Sequence, residues 1–162
     1  MKKTRILSLA LITIFVALLF VGCSAYKGKE KTFTHGDVQI TATNRFTLSE
    51  GEGKDFSLFS LSCQIMLQNV GELTYPTLGQ YCDSFANELE KTMTLKNGPY
   101  KENGMYIIEA ETTEDGTTVC VYNVVLQDGD DVWVAIFACE ESEYKSHEPY
   151  IKEWASSIKF VH

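Results

Sequence analysis

Positive charge is scarce in this 162-residue chain, where 14 Lys and Arg stand against 22 Asp and Glu, a net charge of −8. Lys2, Lys3 and Arg5 fall within the first 23 residues, which hold no acid, so the remainder carries 11 basic against 22 acidic residues, a net −11. Phosphate binding needs clustered cations, so a nucleic-acid partner is not expected. Catalytic signatures are equally lacking. There is no Gly-rich phosphate loop, no Gly-x-Ser-x-Gly elbow, no His-Glu-x-x-His helix and no Cys-x-x-Cys pair. The three histidines, His35, His147 and His162, fall in a hairpin turn, at a helix start and at the terminus. None has a nucleophile or second ligand at a readable spacing. No catalytic residue, metal ligand or cofactor is assigned, and a non-enzymatic role leads.

Long apolar runs are absent except for one. Ile6 to Val21, interrupted only by Ser8 and Thr13, follows the basic start and ends at Gly22-Cys23, after which the chain turns polar at Ser24. The run has 16 residues, short of the roughly 20 a spanning helix needs, although an uncleaved anchor remains the competing reading. Leu19-Phe20-Val21-Gly22-Cys23 resembles a bacterial lipobox, with Phe20 where Leu is usual. The resemblance implies cleavage after Gly22 and a diacylglyceryl group on Cys23, which would hold the protein to the lipid bilayer on the extracytoplasmic face of the cell membrane. Residues 1–23 would then be a signal peptide, 24–31 a short tether of at most about 26 Å, and 32–162 one domain. Lys27, Lys29 and Lys31 of the tether would lie near anionic headgroups or simply in solvent.

The domain alternates between two periods. Thr32–Thr34 and Val38–Ala42 flank a His35-Gly36-Asp37 turn and read as a hairpin. Phe46 and Leu48 precede the acidic loop 49–53, and strict alternation from Phe59 to Gln68 predicts one half-buried strand. The period then lengthens: Leu78, Tyr81, Cys82, Phe85, Leu89 and Met93 form a helical stripe over about 77–93, capped by Thr77 with Gln80 placed for a capping box and stopped by Asn97-Gly98-Pro99. Met105–Glu111, Thr117–Gln127 and Val132–Cys139 are joined too tightly for crossovers and predict an antiparallel meander. Its last two strands are apolar on both sides, which demands two covers. The second cover is a helix over about 146–158, bearing Tyr150, Ile151, Trp154, Ala155 and Ile158, with Pro149 in its first turn.

Four cysteines follow Cys23. If Gln127 pairs with Val132, Cys120 and Cys139 fall directly opposite one another, so a disulfide between them is open to an extracytoplasmic protein. The other reading makes Cys63, Cys82, Cys120 and Cys139 buried free thiols. Asp128, Asp130 and Asp131 form a hairpin tip that would hold Ca²⁺ only if the fold brought Glu140, Glu141 and Glu143 to it; otherwise it is a solvated turn. Trp133 and Trp154 lie in apolar stripes and read as core before partner anchors.

The order of a short hairpin with Phe33 and Gly36, the extended Phe46-Thr47-Leu48, a long strand, one helix, a meander and a Trp-bearing helix ending Ser157-Ile158-Lys159-Phe160 is similar to the PsbP/Mog1-like group. The resemblance implies an α+β fold, an antiparallel sheet covered by helices on both faces, used as a binding or assembly module. It carries no site residue with it. The expected role is a lipid-anchored binding module whose partner is an envelope protein. An enzyme with a site assembled from distant residues and a cation-binding accessory protein are the alternatives.

Overall fold

The computed structural model describes residues 25–51, 53 and 55–162. The apolar leader, Cys23 and Ser24 lie outside the described residues. In chain order come a 3-10 turn at Ala25–Lys27, then β1 (Glu30–His35), β2 (Val38–Thr43), β3 (Thr47–Glu50), β4 (Phe56–Phe59), β5 (Cys63–Glu72), α1 (Leu78–Leu89), β6 (Thr94–Glu102), β7 (Met105–Glu114), β8 (Thr117–Asp128), β9 (Asp131–Glu140), α2 (Glu141–Ser156) and β10 (Lys159–Phe160).

A seven-stranded antiparallel sheet, ordered β3-β4-β5-β9-β8-β7-β6, forms the middle layer. Because β8 and β9 are apolar on both sides, the sheet buries both faces. On one, Val119, Val121, Val132, Val134 and Ile136 meet Cys82, Phe85, Ala86 and Leu89 of α1. On the other, Ile65, Ile107, Val124, Ala135 and Phe137 meet Ile151 and Trp154 of α2 together with Phe33, Val38 and Ile40 of a three-stranded sheet, β1-β2-β10. The expected architecture of a sheet covered by helices on both faces is present. The small second sheet completes one cover, because β10 adds to the opening hairpin through Lys159↔Gln39 and Phe160↔Val38.

The meander register is as expected, Gln127 pairing with Val132 and Cys120 with Cys139. Thr77 caps α1 by accepting from the Gln80 N–H at 3.2 Å. Four expectations are corrected. The alternation from Phe59 is not one strand but two, broken by a tight turn in which Ser60 Oγ accepts from the Cys63 N–H at 3.0 Å and donates to the Cys63 carbonyl at 2.7 Å. That turn leaves Phe59 and Leu61 exposed, and Met66 is buried under α1, so β5 is covered on both faces.

Asn97-Gly98-Pro99 does not stop a helix: α1 ends at Leu89, and these residues lie within β6, an edge strand with two register shifts. Bulges and proline are tolerated where one side of the ladder is unpaired. The second helix begins at Glu141, not Ser146, directly from β9, with Glu141 and Glu143 favourable in its first turn. Pro149 therefore lies well inside it, on an exposed position where the freed backbone carbonyl can meet water. Finally, the stretch expected to be a tether over 24–31 is packed into the domain from Ala25: Ala25 is buried, and Glu30 and Lys31 already pair with Thr43 and Ala42.

Candidate functional site

On the α2 side of the sheet, the covering layer packs chiefly over β8, β9 and the small sheet. Beside it the inward positions of β6, β7 and β8 carry polar groups. Glu109 on β7 stands directly opposite Tyr122 on β8, and Tyr100 on β6 stands opposite Ile107, diagonal to Glu109 on the same face. Tyr100 donates its hydroxyl hydrogen to Glu109 Oε1 at 2.8 Å, and Tyr122 lies beside them on β8. From the helix, Tyr144 faces Glu109 and Tyr122, while Lys152 holds Glu148 at 2.8 Å. Tyr122 is buried; Tyr100, Glu109, Tyr144, Glu148 and Lys152 are half-buried, so the group forms a ledge open to solvent.

Burial, and next the Glu109 carboxylate, push the Tyr100 and Tyr144 hydroxyls above the ordinary phenol range, and burial with Glu102 does the same to Tyr122. The three phenols stay protonated at neutral pH. The hydrogen bond that Lys152 donates to Glu148 holds the ammonium charged, its pKa raised. The ledge therefore presents fixed hydroxyl donors, one carboxylate acceptor and flat aromatic surface, which is the chemistry of recognition. Sequence reading misses it because Asn97-Gly98-Pro99 reads as a helix stop, which leaves Tyr100 without a strand face. The available signal was Glu109 at an inward position of β7, two residues after Ile107.

A second polar group is buried. His147 is 0 % and Ser62 5 % exposed. His147 Nδ1 lies 2.9 Å from the Glu143 carbonyl, which can only accept, so Nδ1 carries the proton and Nε2 accepts from the Ser62 hydroxyl at 3.1 Å. Ser62 Oγ in turn accepts from the Ala25 N–H at 3.0 Å, and Thr43 Oγ1 donates to the Ala25 carbonyl. A Ser–His pair of this kind can serve a nucleophile, but here the hydroxyl is covered and already accepting, and its work is to fasten Ala25 to the domain. His147, expected at a helix start, lies inside α2 and in the core. His35 lies in the small-sheet hairpin, 3.2 Å from the Gly53 carbonyl, and His162 pairs with Asp128 at 2.9 Å.

Cys63, Cys139 and Cys120 form a row across β5, β9 and β8, since Cys139 is directly opposite both others. All are free thiols, as is Cys82 beneath the other face. Burial, then Cys63 itself, pushes the Cys139 thiol far up. Trp133 and Trp154 are core residues, as expected. The hairpin-tip acids do not meet Glu140, Glu141 or Glu143. The ten residues of β9 separate them, about 30 Å of strand. Among the described residues no group of three or more His, Cys, Asp or Glu is arranged to hold a metal, and no helix is long and apolar enough to cross a membrane.

No protein-family model matches the chain, and no curated protein matches it. Solved structures do. Cyanobacterial PsbP from Synechocystis superposes with a TM-score of 0.62 at 11% identity, over 87% of this chain and 95% of that one. The Ran-binding protein Mog1p of Saccharomyces cerevisiae gives 0.59 at 10% identity, over 82% and 95%. LpqN of Mycobacterium tuberculosis, involved in cell envelope biogenesis, gives 0.53 at 13% identity, over 82% and 91%. At these identities the likeness is one of fold, and the fold is PsbP/Mog1-like.

Proposed function

We propose that this protein is a lipoprotein anchored through Cys23 to the extracytoplasmic face of the cell membrane, where its domain acts as a non-enzymatic binding or assembly module for an envelope protein. The anchor rests on the basic start, the apolar run and Gly22-Cys23. The binding part rests on the ledge: Tyr100, Glu109 and Tyr144 present hydrogen-bonding groups to solvent beside an otherwise apolar core. Similar folds in a Ran-binding protein and a protein involved in cell envelope biogenesis support it by analogy alone. The one Ser–His pair among the described residues is engaged in holding Ala25, which favours a binding role over a hydrolase.

Labelled palmitate should enter the wild-type protein and not Cys23→Ser, and the variant should leave the membrane fraction. Unchanged mass and retention would sink the anchor. For the module, a photo-crosslinker placed at Tyr144 in cells should give one dominant envelope adduct that Glu109→Ala diminishes several-fold. An adduct pattern indifferent to Glu109, or no adduct above background, would count against the ledge as the binding surface.

A further inference from the structure

The point where the chain joins the domain is unusually well fixed. Ala25 is buried and held at both backbone groups, by Ser62 and by Thr43. Only Ser24 separates it from Cys23, so the two Cα atoms are at most about 7 Å apart. A lipid on Cys23 would therefore bring this end of the domain to the bilayer surface without a leash.

That end is not an ordinary polar surface. Leu61 is 53 % and Phe59 39 % exposed in the turn that leads into Ser62, the residue bonded to Ala25. Tyr26 follows Ala25 and stacks on Tyr150, itself 37 % exposed, with ring centroids 4.7 Å apart. Lys27, with its ammonium over the Tyr26 ring, and Lys29 and Arg45 are exposed around them. Lys29 and Arg45 are brought together because the Asn44 N–H donates to the Lys29 carbonyl at 2.7 Å. Glu30, Glu140 and Glu141 share this end, as do Glu114 and Asp115 at the β7–β8 turn, so cations alone would not hold it to an anionic surface and the apolar groups are needed. The opposite end carries Asp37, Asp128, Asp130 and Asp131 at its turns, which such a surface repels.

We propose that Tyr26, Phe59, Leu61 and Tyr150, ringed by Lys27, Lys29 and Arg45, are a lipid-docking surface that sets the domain on the bilayer in one orientation. The idea rests on the lipid-anchor reading. Tyrosine rings suit the headgroup level, Leu61 and Phe59 the acyl boundary, and the cations the phosphates. In this pose the acidic turns at Asp37 and Asp128–Asp131 point away from the membrane, and the Glu114-Asp115 turn stays on the membrane side.

The test uses full-length protein purified from its membranes and returned to phosphatidylcholine/phosphatidylglycerol vesicles whose acyl chains are brominated near the headgroup. With the emission of buried Trp133 and Trp154 subtracted, Leu61→Trp should lose most of its fluorescence in brominated vesicles, Tyr150→Trp should lose part, and Asp130→Trp none. Lys27→Glu, Lys29→Glu and Arg45→Glu combined should reduce the Leu61→Trp loss on phosphatidylglycerol vesicles and leave it unchanged on pure phosphatidylcholine. Unquenched, iodide-accessible Trp at positions 61 and 150 would overturn the docking surface, as would equal quenching at 61 and 130. The intact mass of the same preparation separates the two ideas. A lipidated Cys23 with unquenched Leu61→Trp leaves the anchor standing and removes the docking, whereas an unlipidated Cys23 removes both.

Discussion

His147 shows how a residue's meaning changes between a sequence and its fold. Its imidazole bridges the Glu143 carbonyl and Ser62, and Ser62 carries the load on to Ala25. Ser62→Ala leaves a buried imidazole nitrogen and a buried N–H without partners, and should cost about 1–3 kcal/mol in urea unfolding. Ser142→Ala, at an exposed position, should stay within about 0.5 kcal/mol of wild type. Cysteine chemistry follows from burial in the same way. After denaturation four thiols besides Cys23 should titrate with Ellman's reagent, whereas the native protein should react first at half-buried Cys120. Finding only two would place a disulfide in the row of three. Burial, with Asp83 adding to it, pushes Cys82 from 9.0 to about 12. The unfolded thiol ionises before the folded one, so this contribution to stability is complete below pH 9 and is lost as pH rises from 9 towards 12. The stability difference between wild type and Cys82→Ala should accordingly shrink over that interval, and a constant difference would contradict the buried thiol.

At the scale of elements, α1 was legible because its cap and stripe are local: Thr77 with Gln80, then Cys82, Phe85 and Leu89 at helical spacing. Thr77→Ala should remove about 1 kcal/mol, read from thermal or denaturant unfolding, with Thr77→Ser close to wild type. β6 was not legible, because Asn97-Gly98-Pro99 carries every local mark of a loop and becomes a strand only through pairing with β7. Gly98 is indispensable to that pairing: its φ is +98°, and a Cβ there would meet the Ile107 carbonyl oxygen. Gly98→Ala should destabilise by more than about 1 kcal/mol and loosen the edge where Tyr100 sits. Hydrogen exchange of the Tyr100 amide would show the loosening, and unchanged protection would argue against it. The start of α2 was missed for a related reason, since the helix grows straight out of β9 with no polar loop to announce it.

For the molecule as a whole, the burial of Ala25 decides between two views of the N-terminal segment. Deleting residues 1–24 should leave the far-UV spectrum and Tm of the domain unchanged, whereas deleting through Lys31 removes the Ala25 bonds and the first pairs of β1. The longer deletion should lower Tm by about 4 °C or more; equal Tm values would restore the picture of a leash. The sequence by itself determined the two-faced burial of the sheet, the meander register and the helical stripes, because periodicity and short turns act between neighbours in the chain. The tertiary structure alone decided that Glu109 meets Tyr100 across an edge strand, that His147 and Ser62, 85 residues apart, hold Ala25, and that three cysteines stand in a row. Those groups are brought together by strand order and helix placement, and the satisfaction of buried polar groups by distant partners leaves no periodic trace in a chain.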